Sequence, residues 1–413
     1  MEDVSRLIYD WNRSDPGPHP VAMLDDETLR DGLQSPSVRT PAIDEKIDLL
    51  TRMDALRIDT ADIGLPGAGA SVARDVERLA RAISDLRLGI RANCAARTLV
   101  ADIRPIVEIS QRTGLPIECC TFIGSSPIRQ YTEGWTLDYL KQCTEEAISF
   151  AVKEGLVVMY VTEDTTRANP DSLRALFTTA LRSGASRLCV ADTVGHATPE
   201  GAAAVVGFVK GLLEELGVEA GIDWHGHRDR GLGVASALAA LRAGATRLHG
   251  TALGIGERSG NTPIDLLLVN LVMMGYIERD LSALPGYCEA VSRACDVSIP
   301  PNYPVVGADA FRTATGVHAS AVVKAYRKQD QALMDLVYAA VPASLVGRRP
   351  EIDVGPMSGR SNVVFWLERR GLPATDAIVD AVLAAAKVSS RTLTGDDIEA
   401  ILRRVEGAGS SQG

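Results

Sequence analysis

One regularity constrains this chain more than any other: an apolar, strand-like core recurs about every 30 residues, each followed by a stretch with helical spacing. Eight such cores stand at "VAMLD" (21–25), "IDTADIG" (58–64), "LGIRAN" (88–93), "IECCTFIG" (117–124), "LVVMYVT" (156–162), "RLCVAD" (187–192), "GIDWHGH" (221–227) and "RLHGTAL" (247–253). Helix-like segments such as "SLRALFTTALRSGA" and "GVASALAALRAGA" separate them and reach a glycine before the next strand, as helix C-termini often do. Eight β-then-α units are the number that closes a (β/α)8 barrel. An open, doubly wound sheet would place a glycine fingerprint after its first strand, where this chain reads "DETLRDGLQ". From about residue 280 the pattern turns mainly helical, with loops such as "SIPPNYPVVG". The expected organisation is therefore a TIM-barrel domain with a short N-terminal extension over 1–279, followed by smaller helical subdomains over 280–413.

Composition narrows the function classes. A content of 46% hydrophobic residues over 413 positions supplies a buried core, while a net charge of -10 without a lysine or arginine block argues against nucleic acid or an anionic membrane as partner. No apolar run approaches the ~20 residues of a membrane span, and the opening "MEDVSRLIYDWNRSDPGPHP" lacks the basic start and apolar middle of a secretory signal, so a cytoplasmic protein is expected. Seven scattered cysteines with no C-x-x-C pair make neither a disulfide framework nor a zinc ribbon; they read as buried thiols.

In a barrel of this kind the chemistry gathers where strands run into the loops that follow them. The first strand end supplies Arg30, Asp31 and Gln34, the fifth Glu163, the sixth Thr193, the seventh His225 and His227, and the eighth Glu257, Arg258 and Asn261. Side chains two apart on a strand point to one side, so His225 and His227 face the same way. Two imidazoles can then bind one divalent ion with a carboxylate from another strand end, and Asp31 fits that need. Asn261 offers an amide oxygen as a fourth ligand. Mixed nitrogen and oxygen ligation suits zinc, manganese, magnesium or cobalt alike. The alternative is a pair of hydrogen-bonded rim histidines.

Taken together, "DETLRDGLQ", "DWHGHRDRGLGVASALAALRAGA" and "GIGERSGNTP" resemble the DRE-TIM metallolyases, which include isopropylmalate, homocitrate and citramalate synthases and 3-hydroxy-3-methylglutaryl-CoA lyase. The likeness continues into "FRTATGVHASAVVK" and "SGRSNVVFWLERRG", which look like the helical subdomains of the synthases. What the resemblance implies is a divalent metal held by Asp31, His225, His227 and Asn261, and an acyl transfer in which deprotonated acetyl-CoA attacks a 2-oxo acid. Thioester hydrolysis then releases CoA and a 2-substituted malate. By the same resemblance Arg30 stabilises the developing oxyanion, a task for a permanent cation; its alternative is an ion pair with Asp31 or Glu163. Glu163 matches an acidic residue that supports Arg30, Thr193 a hydroxyl that binds a substrate carboxylate, and His318 a proton-transferring histidine that commonly serves the neighbouring subunit of a homodimer.

Several positions depart from the synthase pattern. Leu33 in "RDGLQ" is familiar from the lyase, but "GIGERSGN" lacks the lyase's cysteine loop, and "TGVH" is a synthase feature. Condensation is therefore preferred over acyl-CoA cleavage, and both over a noncatalytic ligand-binding barrel, which would be expected to have lost some of these residues. Met159 stands where homocitrate synthases place an arginine, which disfavours 2-oxoglutarate. Arg129, in "FIGSSPIRQY", engages an extra anionic group of the substrate, a CoA phosphate, or only solvent; Thr313 stands where a histidine is frequent. The chain stops short of the effector-binding domain of leucine-regulated isopropylmalate synthases, so feedback inhibition of that type is not expected.

Overall fold

The computed structural model describes residues 4–12 and 22–410. Eight parallel strands close a barrel in chain order: β1 (Met23–Asp26), β2 (Thr60–Asp62), β3 (Arg91–Arg97), β4 (Ile117–Gly124), β5 (Val158–Glu163), β6 (Arg187–Asp192), β7 (Gly221–Gly226) and β8 (Arg247–Gly250). Every strand falls on one of the eight expected cores. Val21, the first residue of the first core, lies outside the described residues. β3 runs on to Arg97, and the eighth core gives way after Gly250 to a tight turn over Ala252–Gly254. Closure comes from β1 lying against both β2 and β8, with Asp25 opposite His249 and Asp26 opposite Gly250.

Local chemistry sets the helices that wrap the strands. Thr136 and Thr198 accept backbone N–H bonds from Tyr139 and Gly201, capping Leu137–Lys153 and Pro199–Leu216. Gly114 and Gly217 take left-handed conformations that end their helices. The core between the strands and these helices includes Leu24, Trp224 and Leu248 from the strands and Leu49, Leu50, Leu79, Ile106 and Phe177 from the helices, all fully buried or nearly so. Each such side chain contributes roughly 1.5–3 kcal/mol by leaving water. All seven cysteines are free and buried.

The chain divides into two compact units. Residues 286–298 belong to the barrel unit, beyond the boundary expected at 279. They are tied there by the Tyr287 hydroxyl, which donates to Asp26 Oδ2 at 2.6 Å, and by the Arg39 amide, which donates to Cys295 O at 2.8 Å. Burial pushes the Asp26 carboxyl up to about 7, so the phenol relieves an otherwise costly buried acid. The other unit holds 280–285 and 299–410 with the N-terminal residues. It is mainly helical, with one short parallel pair, β9 (Arg312–Thr313) and β10 (Glu351–Ile352), and a core of Val354, Val363, Trp366, Leu367, Val379 and Ile398. Among the described residues no helix is long and apolar enough to cross a membrane.

Leu50 is fully buried against the barrel. Leu50→Ala is expected to cost about 2–5 kcal/mol of stability, read as a lowered midpoint in urea unfolding with an unchanged slope.

Candidate active site

The end of β7 and the turn after β1 meet at the barrel mouth. His225 Nε2 stands 3.7 Å and His227 Nε2 3.5 Å from Asp31 Oδ2, an oxygen with no hydrogen-bond partner. The three ligating atoms lie within 4.8 Å of one another. Gly226, between the histidines, is required by what lies behind it: a Cβ there would come within 2.9 Å of the Trp224 indole nitrogen. Thr262 donates from its amide to Gly226 O at 2.8 Å, which sets Asn261 beside His227 as an isolated antiparallel pair. The Asn261 amide nitrogen donates to Ile255 O at 3.2 Å, leaving its buried Oδ1 without a partner.

The orphaned Asp31 oxygen beside two imidazole nitrogens matches the donors a borderline divalent ion takes, so these three residues fit a metal, and the unpartnered amide oxygen of Asn261, the backbone neighbour of His227, is of the type a fourth ligand needs. The glycines of "GIGERSGN" serve this arrangement rather than a dinucleotide. Gly260 adopts φ +93, where an added Cβ would lie 1.9 Å from Gly254 O, and a Cβ on Gly256 would strike the Asn261 amide at 2.3 Å.

Arg30 lies alongside, bound to three carboxylates. Its Nε donates to Asp62 at 2.6 Å, Nη1 to Asp31 at 3.0 Å and Nη2 to Glu27 at 2.9 Å. Burial disfavours charge on the guanidinium, but these three anions outweigh it and hold Arg30 as a cation. One N–H on each terminal nitrogen is left for a ligand. Glu163, expected beside Arg30, instead faces Arg129 Nε at 3.3 Å. Burial raises its carboxyl pKa and Arg129 opposes the rise.

Arg30, Asp31, Gln34, Glu163, Thr193, His225 and His227 all line one cavity of about 200 Å³; Glu27, His249 and Glu257 also reach it, and Ala95, Cys120, Met159, Val161 and Cys189 give it an apolar wall. Thr193 Oγ1 accepts the Asp164 amide at 2.8 Å, so its own proton is available to a ligand. Arg129 stands at the edge of this group, a third exposed, paired with Glu133 and Glu163 and stacked over Trp135. His318 belongs to the other unit; it is exposed near the start of the helix Gly316–Arg327 and stacks on Tyr338 with ring centroids 4.2 Å apart.

Sequence reasoning missed Glu27, Asp62 and His249. Glu27 Oε2 lies 2.7 Å from His225 Nδ1, and Glu27 Oε1 lies 3.1 Å from His249 Nδ1. His249 Nε2 is 2.9 Å from Asp223, which also receives Arg247 and Arg187. Burial opposes protonation of His249, but Asp25, Asp223 and Glu27 push it up to about 10. The connected interior groups are four cations (Arg30, Arg187, Arg247, His249) against six carboxylates (Asp25, Glu27, Asp31, Asp62, Glu118, Asp223).

The model of the HMGL-like family matches residues 22–285. The chain belongs to the HMGL-like family. It is 31% identical to the 2-isopropylmalate synthase of Nitratidesulfovibrio vulgaris over 91% of this chain and 72% of that protein. It is 30% identical to the homocitrate synthase of Pyrococcus abyssi over 93% of this chain and 100% of that protein. Among solved structures it resembles the HMG-CoA lyase from Brucella melitensis, with TM-score 0.55, 17% identity, and coverage of 66% of this chain and 98% of that one, a likeness of fold. This HMGL-like chain carries Asp31, His225 and His227 within the residues that the family model matches.

If Asp31, His225 and His227 hold one ion, Asp31→Asn and His227→Ala are each expected to lose the bound metal on dialysis against buffer that leaves the wild type loaded. Elemental analysis against protein concentration checks this.

Proposed function

We propose that this protein is a divalent-metal-dependent acyltransferase of the 2-alkylmalate synthase type, which condenses acetyl-CoA with a 2-oxo acid to give a 2-substituted malate and free CoA. The observation that carries the reading is the convergence of Asp31, His225 and His227 beside Arg30 on one cavity. Its membership of the HMGL-like family and its similarity to proteins named as synthases over most of its length support the reaction class. A divalent ion held by Asp31, His225, His227 and Asn261 would supply Lewis-acid polarisation of a ketone. The protein's own groups account for the rest. Arg30 keeps two N–H donors for an oxygen that gains negative charge as the new carbon–carbon bond forms. Thr193 donates to the substrate carboxylate. Gln34 lines the same wall, and Glu163, lifted by burial, accepts or holds a proton near the reacting carbons. A base removes the proton from the acetyl methyl group, and water then cleaves the thioester.

The side-chain end of the cavity supports a particular kind of oxo acid. Cys120, Met159 and Cys189 form a buried apolar cluster there, with Val161 against it. Arg247, whose Nη2 lies 3.1 Å from Met159 Sδ, and Arg30, on the same cavity, are already bound to carboxylates. A second carboxylate on the substrate would therefore enter without a free cation, at a cost an uncharged alkyl group avoids. Arg129, at the rim, serves an anionic part of the substrate or of CoA. We take the enzyme to work in the cytoplasm as a homodimer, with His318 of each subunit assisting proton transfer in the site of the other.

Metal-dependent CoA release, followed with a thiol reagent, is expected with acetyl-CoA plus a 2-oxo acid of apolar side chain and not with acetyl-CoA alone. Release of acetyl-CoA and an oxo acid from a 3-hydroxyacyl-CoA in their place would instead mark a lyase. Arg30→Ala is expected to lower kcat/KM by roughly 100–1,000-fold while metal remains bound. Mixing Arg30→Ala with His318→Ala is expected to restore partial activity in mixed dimers; no recovery would remove the shared-site arrangement.

A further inference from the structure

Beneath the metal ligands a file of charged side chains runs through the barrel interior, and the reaction outlined above does not use it. It begins at His225, whose Nδ1 faces Glu27 Oε2 at 2.7 Å. That oxygen is buried and has no hydrogen-bond partner that competes for the imidazole, the 2.7 Å approach being an ion-pair contact rather than a fully aligned hydrogen bond. The other Glu27 oxygen receives Arg30 Nη2 at 2.9 Å and His249 Nδ1 at 3.1 Å. His249 passes through to Asp223 at 2.9 Å, and Asp223 is clamped by Arg247 at 2.5 Å and Arg187 at 2.6 Å. Glu27, Asp223, Arg247 and His249 are each at most 3% exposed.

Donor and acceptor counting fixes the direction of these contacts. Glu27 and Asp223 are acceptors when ionised, so a ring between them must present N–H at both nitrogens, which makes His249 an imidazolium. With one oxygen occupied by two cationic donors, Glu27 turns its remaining oxygen to His225, which must carry its proton on Nδ1 and keep the Nε2 lone pair toward Asp31 and His227. A histidine ligand is oriented and made more basic by such a carboxylate. From this geometry we infer that Glu27 and His249 are positioning residues for the metal centre: His249 fixes the Glu27 carboxylate, and Glu27 fixes the tautomer and aim of His225. Glu27, His225 and His249 also lie close enough to share a second ion. Their separations of 2.7 and 3.1 Å are those of paired donors and acceptors, with no room left between them.

The inference rests on the metal-centre reading, and the test separates the two. Metal-free full-length protein is titrated with Zn²⁺ in competition with a chromophoric chelator. Wild type is expected to bind one ion per chain. Glu27→Gln and His249→Gln are expected to bind the same single ion roughly 10–100-fold more weakly, and His249→Lys, which restores a cation, is expected to recover part of the loss. Absence of Zn²⁺ binding by the wild type overturns the metal centre and this inference with it. Wild-type affinity in both Gln variants, or two ions per chain in the wild type, overturns the positioning role alone. Should the variants fail to fold, nitrogen-15 histidine spectra of the Zn²⁺-loaded wild type decide the matter: a proton on His225 Nδ1 and on both His249 nitrogens is expected, and an unprotonated Nδ1 on His225 overturns the role.

Discussion

The pairing of β1 with β8 is the constraint on which the site depends. A sheet of eight strands has two edges until the first meets the last, and the register of that seam decides which loops become neighbours. Here Asp25 opposite His249 and Asp26 opposite Gly250 carry the turn that bears Arg30 and Asp31 to the loops after β7 and β8. A slip of one residue would turn Asp25 and His249 to opposite faces. Residues separated in sequence by nearly the whole barrel are thus brought together by backbone hydrogen bonding rather than by their own attraction.

The interior of this barrel is charged where an ordinary one is filled with branched apolar side chains. Burying so many ions costs several kcal/mol each unless every one is paired, and the pairing here is dense: Asp223 holds two guanidiniums and an imidazole, and Arg30 three carboxylates. Replacing one member strands its partners without solvent.

Much of this was legible in the sequence because strand periodicity is local. All eight strands, the shared direction of His225 and His227, and the cavity positions of Arg30, Asp31, Gln34, Glu163 and Thr193 follow from counting along the chain. What was not legible depends on register between strands. Glu27 lies four residues before Asp31, and His249 is a lone histidine in an apolar strand; neither has a local signature. Their meeting follows from the β1–β8 seam. The same reason hid Asp62 as the partner of Arg30, a place expected for Glu163. The return of residues 286–298 to the barrel is tied by Tyr287 reaching a buried acid and by the Arg39 amide reaching Cys295, neither of which a composition shift marks. Asn261 lies beside His227 through a backbone pairing, and the glycines around it have a steric purpose that spacing alone does not reveal.

Glu27 touches both Arg30 and His225. A single carboxylate therefore underlies the group that would receive negative charge in the reaction and one that would grip the ion, so neither can be retuned without disturbing the other. Natural variation seeking a different oxo acid would be steered away from this polar half of the cavity and toward Cys120 and Cys189 on the apolar wall, where a change of bulk leaves the electrostatic framework intact.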